Sequence, residues 1–141
     1  MPKILKPREM NKCLGCFSCM SACSFNYRKD HSLVKSAIRV HTVGGLAGSF
    51  IAIVCLGCKE PACMEVCPSN ALEPRPGGGV LVKEDKCIGC RKCESACIMQ
   101  AINFDEETNT PIICRHCGVC TRFCPHECLQ MIESKEAGVY A

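Results

Sequence analysis

Sixteen of the 17 cysteines in this 141-residue chain fall into four groups of four, which are called quartets one to four in chain order. Quartets one, three and four share the spacing C-x2-C-x2-C-x3-C, and quartet two has four residues between its middle cysteines. Cys128 belongs to no quartet. The members are Cys13, Cys16, Cys19 and Cys23 (one), Cys55, Cys58, Cys63 and Cys67 (two), Cys87, Cys90, Cys93 and Cys97 (three), and Cys114, Cys117, Cys120 and Cys124 (four).

This spacing is typical of the thiolate ligands of [4Fe–4S] clusters. Three cysteines on a tight loop can bind three iron corners, and in two-cluster ferredoxins the fourth binds the cluster of a partner motif. Zinc sites instead use C-x2-C pairs separated by a longer loop. Disulfides fit poorly with the odd number of cysteines and with an N-terminus that lacks an apolar export signal. We therefore predict four [4Fe–4S] clusters bound by paired quartets, and the spacing alone leaves the pairing open.

The rest of the composition agrees with a chain stabilised by clusters. The hydrophobic content of 48% includes cysteine, and without it about 36% remains, which is too little for an ordinary apolar core. The longest apolar run, residues 50–56, is too short to cross a membrane. A net charge of +3 without a basic block argues against nucleic-acid binding. We expect a cytoplasmic protein without membrane insertion.

Between the quartets, the sequence predicts short elements of an α+β fold. Alternating apolar residues around glycines and prolines predict β-hairpins at 37–43 with 50–54, 71–72 with 80–82, and 101–104 with 111–113. The fourth cysteine of each quartet is expected to begin a helix. Residues 129–137, followed by Gly138, have the pattern of a short helix with a C-cap glycine. Residues 1–12 carry no strong pattern, which predicts a frayed tail or a docking arm.

Several further side chains have expected roles near the clusters. Four cubes with their thiolates carry a charge of about −8, so the holoprotein is near −5. Arg91, Lys92, Arg115 and Arg122 lie inside quartets and can offset that charge locally. His116 and His126 are expected to be exposed. Cys128 is expected to be a small buried residue. Glycines inside the loops relieve crowding around the clusters; these are Gly15, Gly57, Gly89 and Gly118.

From about residue 11 to 128, the chain resembles the four-cluster ferredoxin-like subunits of molybdenum or tungsten pterin oxidoreductases. The resemblance is carried by the longer gap of quartet two, by C-L-G-C-K-E-P-A-C-M-E-V-C-P at 55–68 and by K-C-I-G-C-R-K-C at 86–93. Relatives in this family serve dimethyl sulfoxide reductases, formate dehydrogenases and formate-linked hydrogenases. Ser24 and Ile98 depart from the pattern, because proline often follows the fourth cysteine.

The resemblance implies two ferredoxin-like modules of which one is nested in the other. The outer module comprises residues 1–36 with 108–141, and the inserted module residues 37–107. Quartet one then pairs with quartet four, and quartet two with quartet three. The implied ligands are Cys13, Cys16, Cys19 and Cys124 (cluster 1), Cys114, Cys117, Cys120 and Cys23 (cluster 2), Cys55, Cys58, Cys63 and Cys97 (cluster 3), and Cys87, Cys90, Cys93 and Cys67 (cluster 4).

The same resemblance implies a non-catalytic subunit that relays single electrons. Its partners are a large pterin-dependent catalytic subunit and a further redox protein or flavin subunit. The compact chain resembles the small subunits of cytoplasmic tungsten aldehyde oxidoreductases, so this partner is preferred to a formate dehydrogenase or a hydrogenase. The alternatives are a freely diffusing polyferredoxin and a zinc-stabilised interaction module. A row of clusters could also link complexes into filaments or other higher-order assemblies.

Overall fold

The computed structural model describes residues 3–44 and 49–133. Short elements dominate this part of the chain, in agreement with the predicted α+β class. The longest described helix has 11 residues, and no described helix is long and apolar enough to cross a bilayer. The strands are β1 (Lys3–Pro7), β2 (Arg39–Val43), β3 (Ser49–Ile53), β4 (Leu72–Pro74), β5 (Val80–Val82), β6 (Asn103–Asp105), β7 (Thr110–Ile112) and β8 (Leu129–Glu133), and the helices are α1 (Ser18–Arg28), α2 (Ala62–Glu65), α3 (Lys92–Ala96) and α4 (Val119–Phe123).

The three predicted hairpins are confirmed. Strands β2 and β3, β4 and β5, and β6 and β7 form separate two-stranded antiparallel sheets. Each hairpin leads from one quartet to the next, so cysteine loops alternate along the chain with two-stranded antiparallel sheets. The hairpins therefore set the spacing between successive cysteine loops.

A fourth sheet joins the two ends of the described chain and corrects two predictions. Strands β1 and β8 pair antiparallel from Lys3 opposite Glu133 to Pro7 opposite Leu129. The helix predicted at 129–137 is therefore wrong for 129–133, and its remainder lies outside the described residues. Residues 3–7 are not a frayed tail, since Ile4 and Leu5 are buried. The hydrogen bonds of a distant partner strand outweigh the weak helical pattern of this segment.

The helices lie one cysteine earlier than the sequence suggested. Helices α2, α3 and α4 each contain the third cysteine of a quartet and end before the fourth. Cys124 and Cys97 have extended backbone conformations at the C-caps of α4 and α3. The proline after Cys124 disfavours the helical conformation of the preceding residue, and Pro68 does the same for Cys67. The prediction that the fourth cysteine begins a helix is wrong for these three quartets and also for quartet one, where Cys23 lies in the middle of α1.

The buried side chains form two apolar clusters. The first contains Leu5, Ile38 and Ile112, and the second contains Leu72, Phe104 and Ile113. Ile112 and Ile113 are consecutive and fully buried, so the chain leaving β7 contributes to both clusters. Helix α1 packs against α4, and α2 packs against α3. These contacts support the nested modules, which stay a prediction.

The hairpin of β2 and β3 belongs by its packing to the first cluster. Ala37, Ile38, Val40 and Val54 are buried there, although the predicted boundaries assign them to the inserted module. The hairpin of β6 and β7 likewise spans the predicted boundary at 107/108. The packing therefore does not divide at either of the predicted module boundaries.

Candidate metal centres

The first two cysteines of each quartet lie on a loop of similar backbone shape, and the third lies in the helix that follows. The residue before the second cysteine has a positive φ in all four quartets: 72° at Gly15, 68° at Gly57, 71° at Gly89 and 54° at His116. Gly89 N and His116 N each lie 3.4 Å from the Sγ atom of the cysteine two residues earlier. Such N–H···S contacts orient and stabilise thiolate ligands.

Four cavities are lined by four quartet cysteines each, and they are called sites 1 to 4 below. Every site combines the first three cysteines of one quartet with the fourth cysteine of another. Quartet one is grouped in this way with quartet four, and quartet two with quartet three. The sites are Cys13, Cys16, Cys19 and Cys124 (site 1), Cys114, Cys117, Cys120 and Cys23 (site 2), Cys55, Cys58, Cys63 and Cys97 (site 3), and Cys87, Cys90, Cys93 and Cys67 (site 4).

The donor set of each site fits a [4Fe–4S] cluster. Sulfur is the ligand that iron–sulfur clusters use, and four thiols that surround a cavity suit a cube, whose ligands bind four separate iron atoms. Within residues 3–44 and 49–133, no three Cys, His, Asp or Glu side chains converge closely enough to bind one metal ion. The residues that would hold the four clusters are therefore the sixteen cysteines above, and their ligation stays a prediction.

Some thiols lie close enough to a thiol of another site to affect its pKa, and these pairs show which sites are neighbours. Burial raises the pKa of Cys120 in site 2 to about 12, and the nearby charges that add to this include Cys19 of site 1. Burial also raises the pKa of Cys114 in site 2, with a contribution from Cys55 of site 3. Cys63 of site 3 has its pKa raised to about 12 by burial, with a contribution from Cys93 of site 4. Sites 1 and 2, sites 2 and 3, and sites 3 and 4 are consequently neighbours, and this order is called the row from 1 to 4 below.

Comparison with known proteins agrees with this chemistry. Three family models, each described as a 4Fe-4S binding domain, match residues 13–27 with 55–71, residues 80–102, and residues 113–136. These matches include all four quartets. A chain of the anaerobic dimethyl sulfoxide reductase of Escherichia coli is 32% identical over 139 residues, covering 83% of this protein and 67% of the relative. This protein belongs to the family of ferredoxin-like iron–sulfur proteins that includes that relative.

Other relatives of this iron–sulfur protein are longer. A subunit of the selenate reductase of Mesobacillus selenatarsenatis is 35% identical over 115 residues, covering 77% of this protein and 39% of the relative. The beta subunit of the NADH-dependent phenylglyoxylate dehydrogenase of Aromatoleum evansii is 32% identical over 134 residues, covering 92% of this protein and 30% of the relative. Membership of the family and its 4Fe-4S domains establish that this protein binds multiple [4Fe–4S] clusters.

The fourth cysteine of every quartet accepts a hydrogen bond from a backbone N–H. Ala71, Ala101 and Cys128 each donate to the cysteine four residues earlier, at 3.3, 3.5 and 3.3 Å. Ala37 donates to Cys23 at 3.3 Å, across the longer segment that follows quartet one. Cys128 is therefore the counterpart of two buried alanines. Its side chain is 2% exposed, which confirms the expectation of a small buried residue.

His116 is buried, so the prediction that it is exposed is wrong. Its side chain is 3% exposed, and its Nδ1 accepts a hydrogen bond of 2.9 Å from the N–H of Leu5 in β1. Burial lowers the pKa of His116 to about 4, and the positive charge of Arg75 adds to this. The Nε2 atom lies towards Gly57 and Gly79. The imidazole therefore joins β1 to the loops of sites 2 and 3, whereas His126 is half-buried.

Replacing His116 with alanine should destabilise the protein. The buried Leu5 N–H would lose its acceptor and a cavity would form beside Gly57, at a cost of about 3 kcal/mol. Anaerobic thermal unfolding of the loaded protein measures the effect. The His116→Gly variant should lose less, because glycine adopts the positive φ without strain. A matched His126→Ala change should have little effect, and an equal loss in both alanine variants would contradict the assigned contact.

The four cationic residues inside the quartets are exposed, and two of them have local partners. The Arg91 guanidinium lies 4.6 Å from the ring centre of Phe104, and its Nη1 lies 3.6 Å from Glu94. The Arg115 guanidinium lies 4.1 Å from the ring centre of Tyr27. These contacts hold both charges beside the quartet loops. Lys92 and Arg122 are exposed as well. Compensation of cluster charge by these residues stays a prediction.

Proposed function

We propose that this protein is a non-catalytic electron-transfer subunit that holds four [4Fe–4S] clusters and relays single electrons along them. The observation that carries the proposal is the row of four cavities, each lined by four cysteines from two quartets. Bound clusters supply reversible one-electron oxidation and reduction. The protein's own residues hold the ligands, donate N–H groups to them and exclude water from the buried thiols.

Both ends of the row are accessible to partners. Leu14 in site 1 and Ile88 in site 4 follow the first cysteine of their quartets, and their side chains are 71% and 65% exposed. The residue in the same position at site 3, Leu56, is half-buried, and at site 2 it is the polar Arg115. Exposed apolar residues beside the terminal sites are suited to protein contacts. One partner at each end is the arrangement that a relay between two redox proteins requires.

The partners in this proposal are a large pterin-dependent catalytic subunit and a further redox protein or flavin subunit. Three relatives are named as parts of a dimethyl sulfoxide reductase, a selenate reductase and an NADH-dependent phenylglyoxylate dehydrogenase, which favours a subunit over a free polyferredoxin. A tungsten aldehyde oxidoreductase is the preferred catalytic partner in this proposal. Anaerobic affinity purification from the native host, with metal analysis and mass spectrometry of the large partner, distinguishes this enzyme from a formate dehydrogenase or a hydrogenase. Cytoplasmic location and filament formation stay predictions.

Metal analysis provides the direct test of the four-cluster relay. Anaerobically purified protein should contain about 16 iron and about 16 acid-labile sulfide per chain. Reduction with dithionite should bleach the visible absorption and produce electron paramagnetic resonance (EPR) signals of interacting clusters. A colourless protein that contains zinc and no iron would favour the interaction-module alternative and contradict the proposal.

A further inference from the structure

Helix α1 is longer than the other cluster helices, and its extra residues reach a neighbouring site. It continues from the fourth cysteine of quartet one, Cys23, to Arg28, whereas the other three helices end before the fourth cysteine. Ser24 follows Cys23 where quartets two and four have proline. Serine retains the backbone N–H and is compatible with a helical preceding residue, so the helix can continue.

The extension brings a side-chain amide to a cysteine of quartet four. Asn26 Nδ2 donates to Cys117 Sγ at 3.4 Å. Cys23 and Asn26 are three residues apart and therefore lie on the same face of α1. That face points to site 2, which contains both Cys23 and Cys117. One helix thus contributes a thiol and a hydrogen-bond donor to the same site.

Contacts further along the helix hold this donor in position. The Arg28 guanidinium lies 3.3 Å from Oδ2 of the buried Asp105, donates to Thr110 Oγ1 at 2.9 Å, and donates to Glu84. Asp105 and Thr110 belong to β6 and β7, so the end of α1 is attached to that hairpin. An anchored helix presents the Asn26 amide in a fixed orientation, which strengthens its effect on the site.

The other sites have no equivalent donor in the part of the chain that the structure describes. At the position three residues after the fourth cysteine they have Asn70, Gln100 or Glu127, each with a positive φ in a turn after the helix. Within residues 3–44 and 49–133, these three side chains make no hydrogen bond to a quartet sulfur. Serine residues reach two of the sites: Ser69 Oγ lies 3.7 Å from Cys67 Sγ, and the backbone N–H of Ser18, followed by its hydroxyl, lowers the pKa of Cys16. A side-chain amide donor is therefore specific to site 2 among the described residues.

We propose that Asn26 is a positioning residue that raises the midpoint potential of the site 2 cluster. This inference rests on the proposed function. Reduction adds one electron, supplied by an adjacent cluster, and no covalent bond forms or breaks. The added negative charge spreads onto the sulfur ligands, so an N–H donor stabilises the reduced state more than the oxidised state. The site 2 cluster is then more readily reduced than it would be without the amide. This changes how an electron is distributed between the clusters of sites 1 and 2.

The test compares the Asn26→Leu and Asn26→Asp variants with the intact protein by EPR-monitored redox titration. Leucine is similar in size, favours the helix and removes the donor, so one of the four midpoint potentials should fall while the other three stay unchanged. Aspartate replaces the donor with a negative charge and should lower the same potential further. The Cys117→Ser variant identifies the signals of site 2. Ser21→Ala serves as the control, because it changes a half-buried residue of the same helix whose hydroxyl pairs with His31.

The outcomes separate this inference from the proposed function. Intact protein without iron would contradict the proposed function itself. Full iron content with four unchanged potentials in both Asn26 variants would overturn the role of Asn26 and leave the relay intact. A fall in the potential of another site, or an equal fall in the Ser21→Ala control, would also overturn it.

Discussion

Replacing Cys124 with serine is expected to disturb the cluster of site 1, although Cys124 belongs to quartet four. Cys124 lines the same cavity as Cys13, Cys16 and Cys19, at the end of helix α4. A serine oxygen is a poor ligand for a [4Fe–4S] cluster, so iron at this site should be lost or its spectrum altered. We expect iron content to fall from about 16 towards about 12 per chain when the cluster is lost, with loss of one set of EPR signals.

The alternative pairing predicts a different loss from the same variant. If successive quartets paired, Cys124 would bind the cluster of quartet three, and the signals assigned by Cys90→Ser would disappear instead. Cys128 provides a matched control four residues away. Cys128→Ala introduces the residue that occupies the equivalent positions 71 and 101, so all four clusters should remain. A loss of site 1 from the Cys128 variant would assign Cys128 to the ligands.

More of the four candidate sites than of the fold could be predicted from the sequence. The cluster loops are local, because three cysteines within seven to nine residues and a residue with positive φ define them almost alone. The hairpins are also local and follow from alternation and turn residues. Cys128 could have been explained as well, since Ala71 and Ala101 stand at the same distance from a fourth cysteine.

Non-local contacts explain what the sequence did not reveal. Strand β8 is a strand because β1, at the other end of the described residues, pairs with it. His116 stands in a loop position where the other quartets have glycine, and only its contacts with Leu5 and the loop of Gly57 explain its burial. Asn26 could not have been identified from Ser24 alone, since Ile98 in quartet three also replaces the proline and α3 still ends before Cys97. Its hydrogen bond to Cys117 depends on how α1 packs against α4.

The turn between β4 and β5 packs against the loop of site 3 without room for a side chain. Gly78 has a φ of +112°, and a Cβ atom there would lie 2.2 Å from the carbonyl oxygen of Gly57. Gly57 lies between Cys55 and Cys58 of site 3. The neighbouring Gly79 donates its N–H to the carbonyl oxygen of Cys58 at 2.9 Å, which attaches the turn to this loop. Any displacement at Gly78 is therefore transmitted to two ligands of site 3.

The Gly78→Ala variant is accordingly expected to lose both stability and the site 3 cluster. Backbone strain at a positive φ costs about 1–3 kcal/mol, and displacement of the Gly57 backbone should bring the total to about 4 kcal/mol or more. The matched Gly79→Ala variant shares the strain, with a φ of +86°, but its Cβ would lie 3.4 Å from the His116 side chain. Thermal unfolding and iron analysis should show a smaller loss of stability and full iron for Gly79→Ala. Equal behaviour of the two variants would mean that backbone strain, and not the contact with Gly57, determines the effect.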